Sequence, residues 1–173
     1  MSSSNLNHCD DSDPFLAGEA PVDKSPEPLH INPADIRFSA MNFLARREHT
    51  RHELHQKLQR RYPDAALVAV EIERLSDENL QSDERFAENF VRYRASLGFG
   101  FMHVRQDMRQ RGLSDAQISL AFDCAEIDWE VLAKEVYRKK FGEISPIDIK
   151  EKAKRVRYMQ YRGFSAEEYQ PLF

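Results

Sequence analysis

Three stretches decide the fold of this chain: Leu58 to Val68 (LQRRYPDAALV), Met108 to Ile118 (MRQRGLSDAQI) and Met159 to Tyr169 (MQYRGFSAEEY). They share one pattern: an apolar residue, two variable positions, Arg, a small or aromatic residue, an apolar residue, Ser or Asp, three variable positions and an apolar residue. A Ser or Asp ahead of helix-forming residues marks a helix start, because its side-chain oxygen accepts an otherwise unpaired backbone N–H. Each stretch therefore reads as the end of one helix, a capped turn and the start of the next. Any two helices joined by a capped turn share much of this pattern, but a cap does not require the arginine that recurs as Arg61, Arg111 and Arg162. The copies lie 50 and 51 residues apart (58, 108, 159). That period fits three helices per unit, and such units stack because each is too small to bury its apolar face alone.

Working outward, the remaining punctuation is helical. Asn32 with Pro33 is a cap followed by proline at the first helical position, ahead of Ile36, Ala40, Phe43 and Leu44 at helical spacing. Thr50 with Glu53 has capping-box spacing and opens a helix with Leu54, Leu58 and Tyr62 inward. Asp64 caps a helix carrying Val68, Ile72 and Leu75; Ser82 caps one whose inward stripe reads Phe86, Phe90, Tyr93 and Leu97, broken by Gly98 and Gly100. Val104 and Met108 mark a fifth helix, Ile118, Ala121 and Phe122 a sixth behind Ser114, and Leu132, Ala133 and Val136 a seventh behind Asp128. An eighth runs from about Asp148 to Gly163, and Ser165 with Glu168 forms another capping box. No alternating apolar and polar run persists between turn signals, so no strand is expected. The expected fold is all-α: three tandem three-helix repeats, at about 36–81, 82–127 and 128–173, in an elongated curved array.

The whole chain of 173 residues has a formal charge of −4, which on its face argues against a polyanionic partner. The average conceals opposed regions. Residues 1–35 hold seven acids, one base and five prolines without apolar periodicity, a composition that cannot offset the entropy of ordering, so a disordered acidic tail is expected there. The rest has 24 bases against 22 acids. Within it the sign alternates with the repeat. Residues 37–61 carry seven bases and two acids, 62–91 two and eight, 92–111 five and one, 112–133 none and five, and 134–162 ten and four. This reads as basic first and second helices and an acidic third helix in each unit. Stacked units would then offer a basic stripe to nucleic-acid phosphates or an acidic protein face. The competing reading is a solvated surface on which these charges pair among themselves, each pair contributing at most ~1 kcal/mol.

The residues also resemble a family. Ser82-Asp83-Glu84-Arg85-Phe86-Ala87, Arg92-Tyr93-Arg94, Gly98-Phe99-Gly100 and Arg105 to Ser114 are similar to the core signature of the RecX regulators of the RecA recombinase. Ala45 to Leu54 with Lys57-Leu58 resembles that family's first repeat. Ile127-Asp128-Trp129, Lys139 to Gly142 and Tyr161 to Phe164 resemble its proteobacterial members. The resemblance implies a stoichiometric regulator that binds in the groove of the RecA filament on single-stranded DNA and lowers its ATP hydrolysis, strand exchange and co-protease activity. It implies a role in recombinational DNA repair and the SOS response for a monomer with weak direct DNA binding. Separately, no run approaches the ~18 consecutive apolar residues of a membrane span and the N-terminus is acidic and polar, so a cytoplasmic protein with no membrane partner is expected. Two features depart from the pattern: Tyr62-Pro63 stands where the other copies have Gly112-Leu113 and Gly163-Phe164, and the acidic tail has no counterpart.

The candidate contact residues are Arg46, Arg47, Arg51, Lys57, Arg60 and Arg61 in the first unit, Arg92, Arg94, Arg105, Arg109 and Arg111 in the second, and Lys139, Lys140, Lys150, Lys152, Lys154, Arg155, Arg157 and Arg162 in the third. Arg61, Arg111 and Arg162 have an alternative use, binding helix carbonyls at the junctions. The alternative function is a free DNA-binding protein of helix-turn-helix type, which the acidic third helices disfavour because a recognition helix needs basic and amide groups. A purely structural helical scaffold is a third reading. No enzyme, metal or cofactor is expected. Cys9 and Cys124 have no CxxC partner, His49, His52 and His55 sit among arginines that would repel a cation, and the serines fall mainly at caps.

Overall fold

A computed structural model describes residues 31–173; residues 1–30 of the expected acidic tail lie outside the described residues, whereas Pro33 to Asp35, placed in that tail by composition, form the first turn of a helix behind the Asn32 cap. Among the described residues there are nine α-helices: α1 Pro33–Leu44, α2 Arg51–Gln59, α3 Ala65–Asp77, α4 Asp83–Ser96, α5 Phe101–Gln110, α6 Asp115–Ala125, α7 Trp129–Phe141, α8 Ile149–Arg162 and α9 Ala166–Tyr169. A short 3₁₀ turn, Gln170–Leu172, follows, and no strand occurs among these residues. The helices form three successive three-helix units.

The caps explain most of the boundaries. Side chains of Asn32, Thr50, Asp64, Ser82, Asp128 and Asp148 each accept a first-turn backbone N–H. Ser114 and Gln117 complete a reciprocal capping box. The Thr50 box closes on one side only. Thr50 Oγ1 takes the Glu53 N–H at 3.0 Å, while the Glu53 carboxylate turns away to two arginines, a stronger charge-assisted arrangement than a neutral amide offers.

Each unit has its own core. Ile36, Leu54, Leu58, Val68 and Leu75 fill the first, Phe86, Val91, Val104, Met108 and Ile118 the second, and Ala133, Tyr137, Met159, Phe164 and Tyr169 the third. Leu58, Met108 and Met159, the opening residues of the repeated pattern, are each at most 1% exposed. The stripe expected on α4 is displaced: Phe86, Ala87, Val91 and Ala95 point inward, whereas Tyr93 and Leu97 are exposed. Small residues at 87 and 95 let α4 approach its neighbours, and the phenol of Tyr93 is left in water.

Candidate functional site

The units join through their second helices by one repeated contact. At the first junction Thr50, the cap of α2, donates its hydroxyl hydrogen to the carbonyl of Arg111 at the end of α5, at 2.8 Å. At the second, the N–H of Gly100, which caps α5, donates to the carbonyl of Arg162 at the end of α8, at 2.8 Å, and Met102 N–H donates to the Gly163 carbonyl at 3.0 Å. The positive end of each helix dipole thus meets the negative end of the next unit's second helix, and at the second junction orphan N–H donors meet orphan carbonyl acceptors. The approach is close: a Cβ on Gly112 would lie 2.5 Å from His52 Cβ, and one on Gly163 2.4 Å from the His103 backbone nitrogen. Both glycines also have positive φ, +83° and +90°. No unit docks on the end of α2 among the described residues, which explains why Tyr62-Pro63 is tolerated there.

The recurrent arginine is therefore a junction residue in two of its three copies. Arg111 pairs with Glu53 of the preceding unit, and Arg162 Nη1 donates to the Leu97 carbonyl of the preceding unit at 3.2 Å. Only Arg162 uses the helix carbonyl expected from the sequence. Arg61, with no preceding unit to reach among the described residues, lies 5.5 Å from the Tyr62 ring centroid and 3.5 Å from Ser39 Oγ.

Most candidate arginines of the first two units are already paired. Arg47 and Arg111 share Glu53, Arg51 holds Glu73 at 2.6 Å, Arg92 approaches Glu88 at 3.7 Å, Arg94 pairs with Asp107, and Arg105 and Arg109 converge on Asp115 at 3.7 and 2.7 Å. Arg94 also lies 4.0 Å from the Phe99 ring centroid, and its Nε is buried without a hydrogen-bond partner among the described residues. Lys57 donates to buried His49 at 2.9 Å. One expectation needs correction: Arg155 is 3% exposed and bonded to Glu151, to Tyr137 Oη at 2.7 Å and to the Ile144 carbonyl at 2.6 Å, so it is unavailable to a partner. Its place in a lysine-rich run concealed this. The cations that remain exposed without a carboxylate among the described residues are Arg46, Arg60 and Arg61 in the first unit and Lys134, Lys139, Lys140, Lys150, Lys152, Lys154 and Arg157 in the third. The assignment of basic charge to both leading helices is also refined. α1 carries only Asp35 and Arg37, and the first unit's basic block lies on its loop and α2.

Two clefts occupy equivalent places beside these junctions, between a first-to-second-helix loop and the next unit's first helix. One, of about 440 Å³, is lined by Phe86, Phe90 and Tyr93 with Arg47 and Arg111. The other, of about 420 Å³, brings together Lys139, Lys140, Tyr158 and Arg162 with Leu97 and Val136. The repeat position is shared, but the linings differ: aromatic in the first and basic in the second. The aromatic cleft was not anticipated, because its residues read as core.

Two groups at the first junction are electrostatically displaced. Burial pushes the Glu53 carboxyl up, but hydrogen bonding and charge from Arg47 and Arg111 outweigh it, leaving the group below its ordinary range. Burial holds His49 below the usual imidazole value, reinforced by Arg47 and Lys57. Neutral His49 can donate from Nδ1 to the Arg47 carbonyl, at 2.9 Å, and accept from Lys57 at Nε2. His52 is instead on the surface, bonded to Gln56 at 2.8 Å.

Family comparison agrees with this architecture unit by unit. Models of the first, second and third three-helix domains of RecX match residues 37–75, 82–121 and 128–168. The chain is 42% identical over 132 residues to the regulatory protein RecX of Pseudomonas fluorescens (strain SBW25), covering 76% of this chain and 85% of that one. The chain belongs to the RecX family. Another RecX regulatory protein, from Pseudomonas entomophila (strain L48), is 39% identical over 135 residues, covering 78% and 87%. Among solved RecX structures, one described as regulatory protein RecX superposes with a TM-score of 0.66 at 21% identity, covering 81% of this chain and 72% of that one. RecX from Lactobacillus salivarius gives 0.64 at 20% identity, covering 81% and 93%. At those identities the structural likeness speaks to the RecX fold alone. No helix among the described residues is long and apolar enough to cross a membrane.

Proposed function

We propose that this RecX chain is a stoichiometric regulator that binds a RecA-type recombinase filament on single-stranded DNA. Binding lowers the filament's ATP hydrolysis, strand exchange and co-protease activity, and so acts in recombinational repair and the SOS response. It works as a monomer in the cytoplasm, its direct contact with DNA is weaker, and no catalytic group, cofactor or metal takes part.

The observation that carries this reading is the unequal division of charge. The arginines of the central unit are taken up by internal ion pairs and stacking, while the third unit leaves a group of lysines exposed and unpaired among the described residues. Free cations attract phosphate and acidic protein surfaces; paired ones are screened by their own partners. The acidic α6, with Asp115 and Asp123 and no base, is unsuited to enter a DNA groove as a recognition helix. The test compares Lys150→Glu/Lys152→Glu/Lys154→Glu with Arg105→Glu/Arg109→Glu in recombinase ATP hydrolysis on single-stranded DNA and in salt-dependent binding. The lysine variant is expected to lose inhibition and flatten the salt slope, and the arginine variant to lose less. Tight, sequence-specific binding to bare duplex would favour a free DNA-binding protein instead.

A further inference from the structure

The α7–α8 loop is the site of a feature that charge alone does not explain. Ile144, Ile147 and Ile149 are 72%, 90% and 86% exposed, within six residues of chain. An exposed isoleucine taken singly is ordinary, but three together, two on the loop and Ile149 at the first position of α8, mark a contact surface. The loop is also held in place. Buried Arg155 donates to the Ile144 carbonyl at 2.6 Å and pairs with Glu151, and the Glu151 carboxylate accepts the Ile147 N–H at 2.8 Å while Asp148 caps α8. Arg155 is thus a positioning residue, ordering a backbone whose apolar side chains face water.

The repeat shows what this position does elsewhere. The equivalent loops of the first two units lead into α2 and α5, and both helix starts are docked on the end of another unit's second helix. The third copy is longer, carries the isoleucines and has no unit to dock on among the described residues. Flanking it in sequence are Lys139, Lys140, Lys150, Lys152 and Lys154, all exposed and none paired with a carboxylate among those residues.

We infer that this loop is a protein-docking tip whose isoleucines enter an apolar groove rimmed by acidic side chains. On the function proposed above, on which this inference rests, that groove belongs to the recombinase protein and not to its DNA. Phosphates give isoleucine nothing to bury against, and single-stranded bases stack on flat aromatic rings, which the tip lacks, so nucleic acid accounts for the lysines better than for the tip. A lipid surface would have to take in Asp148, between Ile147 and Ile149, and the nearby Glu143 and Glu151, which opposes insertion.

The experiment uses the full chain with Ile144→Ser/Ile147→Ser/Ile149→Ser, and Ile147→Ser alone as the milder variant should the triple fail to fold. Binding is measured to RecA polymerised on single-stranded DNA and to the same strand bare. The triple variant is expected to bind the coated strand at least about tenfold more weakly, and the bare strand within about twofold of wild type, with unchanged helicity. Ile147→Ser should shift the same way by a smaller factor. Unchanged binding to the coated strand, or equal loss on both, overturns the inference and leaves the proposed function standing. Isoleucine-dependent binding to anionic vesicles, or isoleucine-dependent self-association in sedimentation, assigns the tip to another occupant and also overturns it. Wild-type chain that fails to bind coated strands overturns both readings.

Discussion

The two junctions share a register but not a chemistry. The first is held by charge: Glu53 between Arg47 and Arg111, Arg85 on Glu48 at 2.9 Å, and buried Gln81 linking the His49 carbonyl to Asp83. The second is held by backbone hydrogen bonds from Gly100 and Met102, by Arg162 on the neutral Leu97 carbonyl with no carboxylate partner among the described residues, and by Trp129, whose ring meets Phe101 and Phe122 edge-on at 6.0 and 5.7 Å. Identical placement of two helix ends can thus be secured by ion pairs, which answer to salt and pH, or by amides and aromatic rings, which do not titrate. The lesson is that the second and third units form the more condition-independent part of the array, and the first is the adjustable one.

The strongest way to break the comparison is to remove one core. Leu58→Asp buries a charge in the first unit, a change of roughly 4 kcal/mol or more. It should unfold that unit while hydrogen exchange in α5 through α8 stays slow. Met108→Asp, in the shared central unit, should release both junctions, and a single cooperative loss in both variants would refute independent junction strengths. Next come the glycines. Gly163→Ala and Gly112→Ala should each cost about 1–3 kcal/mol from positive φ and collision. Gly163 is expected to be the worse, since its new Cβ meets backbone whereas that of Gly112 meets the His52 side chain. Equal melting shifts would remove that distinction.

Charge changes should be smaller and confined to the first junction. Glu53→Gln is expected to cost about 1 kcal/mol, and added salt should cost the wild-type junction less again. Exchange at Thr50 and Arg51 should speed up while exchange at Gly100 and Met102 does not. Because Glu53 titrates below its unfolded value, its contribution is present above the unfolded pKa of about 4.3 and is lost as pH falls through the lower folded pKa. His49 gives the smallest effect. Its folded pKa is depressed, so the unfolded chain takes up the proton first and stability falls as pH drops from about 6.5 toward the folded pKa. His49→Gln should flatten that slope, and a slope that survives would assign it to another group.

Much of this was legible in the residues. Caps at Asn32, Asp64, Ser82, Ser114 and Asp128 declare themselves because a cap is a local bond, and Leu58, Met108 and Met159 are fixed in the core by helical spacing. The recurring arginine was visible, but its use was not: Arg111 and Arg162 act on groups 58 and 65 residues away. The α4 stripe was misread because aromatic Tyr93 mimics a core residue, while Ala87 and Ala95 give little hydrophobic signal.

The sequence by itself determined a three-fold helical repeat, its period and its caps, since these depend on interactions within about one turn of chain. Tertiary structure alone decided which charges are free. Whether a guanidinium faces solvent or a carboxylate depends on what the packing of distant helices brings beside it. Arg155 and Lys154 are neighbours in the chain; one is buried as the clamp of a loop and the other remains exposed.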